Sequence, residues 1–145
     1  MTVQMWVDTV KDYIALTKPR IISLLLLTAL MGMFVASEGF PNVSLVVFVL
    51  VGGALAAGGA HALNHYLESD IDGLMQRTQN RPVASGRVSS RNSLVFGVLL
   101  NLISFVILAV MVNMISALLT MSGTLFYVFV YTLALKRRTP QNIVI

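Results

Sequence analysis

Long apolar stretches alternate with short polar connections along this sequence. Four of the stretches are long enough to cross a bilayer, which takes about 20 apolar residues at about 1.5 Å rise per residue. The predicted spans are Pro19–Ala36, Val43–Tyr66, Ser93–Val112 and Ile115–Leu135. The pattern therefore predicts an all-α, polytopic membrane helical bundle with four transmembrane helices.

The first 17 residues carry a different, amphipathic pattern. Apolar side chains recur there at helical spacing, at Val3, Val7, Val10 and Ile14. Trp6 and Tyr13 are aromatic residues of the kind that anchor at a membrane interface. We predict that residues 1–17 form a helix lying on the membrane and that residues 18–145 form the transmembrane domain.

The composition agrees with a protein whose partner is a lipid bilayer. Hydrophobic residues make up 57% of the chain and charged residues 11%, and the mean hydropathy is +0.82. A water-soluble domain of this size cannot hide so much apolar surface, so a soluble enzyme, a nucleic-acid binder and a disordered segment are excluded. The chain has no cysteine, which excludes disulfides and zinc–thiolate sites.

The basic residues predict the orientation. Once the four spans are threaded, all ten Lys and Arg fall on one side of the membrane. They are Lys11, Lys18, Arg20, Arg77, Arg81, Arg87, Arg91, Lys136, Arg137 and Arg138. The positive-inside rule then predicts a multi-pass protein of the inner (plasma) membrane, with the N-terminus, the 67–92 loop and the 136–145 tail in the cytoplasm.

The second span is rich in small residues spaced four apart. Two such rows are Gly52/Ala56/Ala60 and Ala54/Gly58/Ala62. Rows of this kind let helices approach closely, so we expect this span to be central in the bundle.

Polar residues cluster where this second span ends. Asn64, Glu68 and Asp72 are spaced i, i+4, i+8 and share one helix face, whereas Asp70 points away from it. Two carboxylates and an amide oxygen are hard ligands that suit Mg²⁺. An Asp near the membrane core costs several kcal/mol unless it is paired or hydrated, so such residues are usually functional.

Two arginines follow the cluster and extend the chemistry it can perform. Arg77 and Arg81 can pair with phosphate oxygens in fork geometry, so the stretch predicts a diphosphate site at the membrane surface. The alternative left open by the spacing is that the acidic residues simply form ion pairs with the arginines of the loop.

The longer string resembles a known family. Asn64-x3-Glu68-x3-Asp72, followed by Arg77-Thr78-x2-Arg81-Pro82 and Ser85-Gly86, resembles the first aspartate-rich motif of the UbiA superfamily of intramembrane prenyltransferases. Thr17-Lys18-Pro19-Arg20 before the first span is similar to the branch of that family that farnesylates heme. So is the string after the fourth span, Tyr131-Thr-x3-Lys136-Arg137-Arg138-Thr139-Pro-x-Asn142-Ile-Val.

The resemblance implies an activity and a set of site residues. The activity is transfer of a farnesyl group from farnesyl diphosphate to a vinyl group of heme b, giving heme O, with heme A synthase as a downstream partner. Asn64, Glu68 and Asp72 would be catalytic and would hold Mg²⁺. Arg77, Arg81 and Lys136 would bind the diphosphate.

Several secondary candidates remain open between a site role and a structural one. Lys18 and Arg20 could reach the same end of the bundle or serve only as topology charges, and the same holds for Lys136. His61 and His65, four residues apart, could contact heme iron or only form local hydrogen bonds. Tyr131 could line the pocket or anchor at the interface.

The sequence departs from the family pattern in two ways. Glu68 stands where the superfamily often has Asp, a change that still supplies oxygen ligands. Members also have about nine transmembrane helices and a second aspartate-containing motif, so four spans resemble the N-terminal half of the fold. We therefore expect the 145 residues alone to be catalytically inactive without the C-terminal half.

Two other functions compete with heme farnesylation. One is another prenyltransferase of the family, with an aromatic or quinone-precursor acceptor. The other is a small four-helix membrane ion-carrier subunit with Glu68 and Asp72 as its ion site. A carrier is expected to place ionisable residues near the middle of the membrane, which favours surface phosphate chemistry here.

Overall fold

The computed structural model describes residues 3–135, and within that range it contains helices and turns but no strand. The helices are α1 (Val3–Thr17), α2 (Pro19–Ala36), α3 (Val43–Leu67), α4 (Ser69–Asp72), α5 (Ser90–Met111) and α6 (Met114–Leu125). A π-helical segment, Phe126–Leu135, continues α6 without a break. The predicted all-α fold is confirmed, whereas the predicted cytoplasmic tail at 136–145 lies outside the described residues.

The four predicted spans are present as helices long and apolar enough to cross a membrane. The first has the predicted bounds and the second ends one residue later, at Leu67. The third begins at Ser90 rather than Ser93, because the Ser89 hydroxyl caps it by accepting a bond of 3.1 Å from the backbone N–H of Asn92. The fourth begins at Met114 and runs into the π segment.

Helix α3 is the centre of the bundle, as its small residues predicted. It packs against α1, α2, α5, α6 and the π segment. A methyl group added at Gly97 of α5 would lie 2.9 Å from the carbonyl oxygen of Gly59 and 2.8 Å from Cγ of Leu63. The two backbones are therefore in direct contact, and only glycine fits between them.

Buried hydroxyl groups reinforce the contact between α3 and α5. Ser104 donates a hydrogen bond of 2.7 Å to the carbonyl of Gly52, and Ser93 donates one of 2.9 Å to that of Ala62. Such interhelical bonds average about 0.6 kcal/mol in membrane proteins. Together with the glycine contact, they fix the position of α3 at both ends of α5.

Helix α1 docks on the end of the bundle. Leu16 is fully buried in a cluster with Ala62, Val83 and Val88. Arg87, in the loop between α4 and α5, donates to Oδ1 of Asp12 at 2.9 Å and connects that loop to α1. Val7, Val10 and Ile14 remain exposed. They leave an apolar face for the predicted membrane interface.

Candidate functional site

The predicted face formed by Asn64, Glu68 and Asp72, called the acidic face below, continues across a break in the helix. Helix α3 ends at Leu67, and Glu68 joins it to the short α4 with φ −103° and ψ 3°. Two backbone hydrogen bonds keep the helical spacing through this junction. The N–H of Glu68 donates to the carbonyl oxygen of Asn64 at 3.0 Å, and the N–H of Asp72 donates to that of Glu68 at 2.8 Å. Asn64, Glu68 and Asp72 are all at least 96% buried, whereas Asp70 is exposed. The prediction that these three share a face apart from Asp70 agrees with this arrangement.

Among the described residues, Asp72 and Arg81 form a close ion pair beside Glu68. Nη1 of Arg81 lies 2.8 Å from Oδ1 and 2.7 Å from Oδ2 of Asp72. The same nitrogen is 3.8 Å from Oε2 of Glu68. The alternative that acidic residues pair with loop arginines therefore holds for Arg81, and the same contact places a guanidinium directly over the acidic face.

The loop after α4 folds back to build a cavity at this face. The Thr78 hydroxyl donates to the carbonyl of Asp72 at 2.9 Å and holds the turn closed. The resulting cavity measures about 150 Å³ and is lined by Glu68, Ile71, Asp72, Met75, Arg77, Thr78 and Arg81. Both predicted phosphate-binding arginines thus face one small polar cavity with two carboxylates.

The π segment supplies a partner for Asn64 that the sequence pattern did not reveal. The Thr132 hydroxyl accepts from Nδ2 of Asn64 at 3.3 Å and donates to the carbonyl of Tyr127 at 3.1 Å. Thr132 is fully buried. One hydroxyl therefore couples the acidic face to the fourth span, and its position beside Tyr131 in the motif was the only signal for it.

The two histidines and two tyrosines lie next to the acidic face. His61 and Tyr127 meet edge to face at 5.9 Å, and Tyr127 stacks on Tyr131 at 5.5 Å. Tyr131 therefore belongs to an aromatic group beside the site. His65 lies within electrostatic range of both Asp72 and Arg81.

The remaining basic candidates differ in position. Lys18 has left-handed backbone angles, φ 54° and ψ 65°, just before Pro19, and is half-buried within electrostatic range of both histidines. Arg20 is exposed in the first turn of α2, and the described part of the chain shows no contact between it and the acidic face. Lys136 lies outside the described residues, so its role stays a prediction.

The donor groups suit a hard cation, although they are not arranged as a closed cage. Within residues 3–135, no three His, Cys, Asp or Glu side chains come together as a metal site. Asn64, Glu68 and Asp72 instead offer two carboxylates and one amide oxygen along a single buried face. That set is what Mg²⁺ uses when its remaining ligands are water and substrate phosphates.

An apolar cavity of about 480 Å³ lies among the membrane-spanning helices. Its walls come from α2, α3, α6 and the π segment, and include Leu25, Ala57, His61, Thr124 and Tyr127. Tyr127 and His61 line it on the side nearest the acidic face. The described part of the chain thus has a charged cavity just beyond the end of α3 and a separate apolar cavity among the membrane-spanning helices.

Comparison with known proteins identifies the family. The model of the UbiA prenyltransferase family matches residues 25–145. The chain therefore belongs to the UbiA prenyltransferase family, a family of multi-pass membrane transferases. No solved structure matches the chain.

Individual relatives give a consistent name. A protein of Saccharopolyspora erythraea, protoheme IX farnesyltransferase 1, is 54% identical over 91% of this chain and 42% of its own length. The protoheme IX farnesyltransferase of Streptomyces coelicolor is 54% identical over 93% of the chain and 43% of its own length. That of Rippkaea orientalis is 50% identical over 97% and 43%. The chain spans less than half the length of these curated relatives.

Proposed function

We propose that this chain provides the diphosphate-binding part of a prenyltransferase that moves a farnesyl group from farnesyl diphosphate to a vinyl group of heme b, giving heme O. The observation that carries the proposal is the Asp72–Arg81 pair with Glu68, which lines a cavity just beyond the end of α3. The acceptor and donor are proposed from the relatives' shared name.

The chain's own residues divide the work on the diphosphate. Asn64, Glu68 and Asp72 would hold Mg²⁺, which supplies positive charge to the leaving group when bound. Arg81 reaches both carboxylates and lines the cavity, so its guanidinium can pass from a carboxylate to a phosphate oxygen. Arg77, exposed at the rim, adds a second guanidinium. Positive groups placed where charge develops are usually the largest catalytic contribution.

The apolar cavity supports the second half of the reaction. When the bond between the allylic carbon and the diphosphate oxygen breaks, the farnesyl cation must meet the terminal carbon of the vinyl group before bulk water does. The cation then left on the adjacent vinyl carbon takes up one water molecule and loses a proton, which gives the hydroxyethylfarnesyl group of heme O. The 480 Å³ cavity offers an apolar space along α3 from the acidic residues.

The same proposal includes the orientation. Lys18 directly precedes α2, Arg81 lies in the loop between α4 and α5, and Arg91 is in the first turn of α5, so these charges share one end of the bundle. Arg87 of the same loop contacts Asp12 of α1. By the positive-inside rule, that side of a protein in a bacterial inner membrane faces the cytoplasm. Water-soluble diphosphate would then leave directly into the cytoplasm.

A transfer assay tests the proposal. The chain is joined in frame to the remaining C-terminal sequence of the Streptomyces coelicolor relative, and membranes are supplied with farnesyl diphosphate, Mg²⁺ and heme b. The expected product is heme O, identified by its mass. Prenylation of 4-hydroxybenzoate in place of heme b would favour the aromatic-acceptor alternative and contradict the proposal.

A further inference from the structure

Two histidines on α3 are buried in an unusual way. His61 is 8% exposed and His65 is 2% exposed. Among the described residues, Nδ1 of His61 and both ring nitrogens of His65 have no hydrogen-bond partner. Because buried polar side chains nearly always have such a partner, these three nitrogens are exceptions that require an explanation.

The surroundings distinguish the two rings. His61 lines the 480 Å³ apolar cavity, with only its Nδ1 enclosed by protein. His65 does not line that cavity, and both of its nitrogens are enclosed. A ligand in the cavity can therefore reach the His61 ring but not the His65 ring.

The lining of the cavity suits a flat apolar molecule. One wall is a strip of small residues on α3, Gly53, Ala56, Ala57 and Ala60. A strip without bulky side chains lets a planar ring lie close to the helix backbone. Tyr127 stands edge-on to His61 at 5.9 Å and bounds the space on the side of the π segment.

The register of α3 relates this cavity to the acidic face. His61 and Glu68 are seven residues apart, which brings them back to nearly the same side of the helix. Seven residues at about 1.5 Å rise place them about 10 Å apart along the axis. A ligand held at His61 therefore lies on nearly the same side of α3 as Glu68, about 10 Å away along the axis.

From these observations we infer that His61 ligates the iron of the heme acceptor in this cavity and so positions a vinyl edge toward the diphosphate site. The inference rests on the proposed function, and it makes His61 a positioning residue. Imidazole is a standard axial ligand of heme iron. Nδ1 of His61 has no partner among residues 3–135 to strengthen the ligand, which suits a substrate that must leave after reaction.

Absorption spectroscopy tests the inference on the full chain in detergent micelles. Ferric heme b is titrated into the chain and into the variants His61→Ala and His65→Ala. The chain and His65→Ala should show an imidazole-ligated Soret band. His61→Ala should lose that band and bind heme at least about tenfold more weakly, the lower end of what disturbing a metal site costs. Added imidazole should restore the band in His61→Ala.

Iron-free protoporphyrin IX separates this inference from the proposed function. It cannot be ligated, so it should bind the chain and His61→Ala with equal affinity, which also shows that the variant is folded. His61→Gln, closer in size, repeats the test if alanine unfolds the chain. An unchanged heme spectrum in both His61 variants overturns the ligation but leaves the heme acceptor standing. Failure of the chain to bind either heme or protoporphyrin overturns the ligation and the proposed acceptor together.

Discussion

A single nitrogen, Nη1 of Arg81, lies 2.8 Å and 2.7 Å from the two carboxylate oxygens of Asp72. The Asp72 side chain is 6% exposed and that of Arg81 is 24% exposed. The pair closes the loop after α4 onto the end of α3, and it also faces the polar cavity. The same two residues thus hold the loop in place and form the charged part of the proposed diphosphate site.

The two arginines of the polar cavity should contribute differently to the stability of the chain. Arg81→Ala should lower the free energy of unfolding by about 1.5–3 kcal/mol, the range for hydrogen bonds to charged groups, because Asp72 loses its partner. Arg77→Ala, at an exposed position, should leave stability within about 0.5 kcal/mol of the parent chain. Thermal denaturation in detergent measures both, and equal loss in the two variants would contradict the assignment.

The link between Asn64 and the π segment should matter for the site rather than for the fold. Thr132→Val keeps the shape of the side chain but removes the hydroxyl that accepts from Asn64. The affinity for farnesyl diphosphate should fall several-fold, because Asn64 is no longer held. Calorimetric titration measures the effect, and Thr28→Val, at an exposed position on α2, is the matched control. Equal affinities for farnesyl diphosphate in the two variants would contradict a role of the Asn64–Thr132 hydrogen bond in binding.

The contact between α3 and α5 should tolerate no added methyl group. Gly97→Ala brings a carbon to 2.9 Å from the carbonyl oxygen of Gly59, so the helices must separate. The expected loss is about 1–3 kcal/mol of stability, as for other overpacked interiors. Gly32→Ala on α2, which meets nothing within 4 Å, should be neutral or stabilising by up to about 1 kcal/mol. Similar melting temperatures for the two variants would argue against this close approach of α3 and α5.

The orientation can be read by chemical labelling, since the chain has no cysteine of its own. Single cysteines at Ser85, in the loop after α4, and at Gly39, between α2 and α3, should react from opposite sides of the membrane. We expect Ser85→Cys to be shielded from an impermeant maleimide in intact cells and Gly39→Cys to be labelled. The reverse pattern would show that the basic end faces outward.

Much of the fold was predictable because apolar length and charge asymmetry are strong, local signals. The bounds of Pro19–Ala36 follow from such a run, and the small residues of α3 indicated its central place. The start of α5 at Ser90 was missed because the cap at Ser89 lies outside the apolar stretch. The change from α6 to a π segment at Phe126 had no signal, since no Gly or Pro lies in Phe126–Leu135.

The sequence was enough to predict which residues form the site, but not which of them contact one another. Helical spacing brought Asn64, Glu68 and Asp72 to one face. It could not show that Arg81 would reach back across nine residues to Asp72, because that contact depends on how the loop folds. Nor could it show Thr132 beside Asn64, 68 residues away, since that requires the packing of two spans.

The central claim is that the face of Asn64, Glu68 and Asp72 binds Mg²⁺-diphosphate, and calorimetric titration of the chain with farnesyl diphosphate and Mg²⁺ tests it most directly. Asp72→Asn keeps the size of a buried side chain of this face and removes its charge. Asp70→Asn makes the same change at an exposed position two residues away. We predict that Asp72→Asn weakens binding at least about tenfold, or about 1.4 kcal/mol, while Asp70→Asn stays close to the parent chain. Equal binding by the two variants would contradict the account.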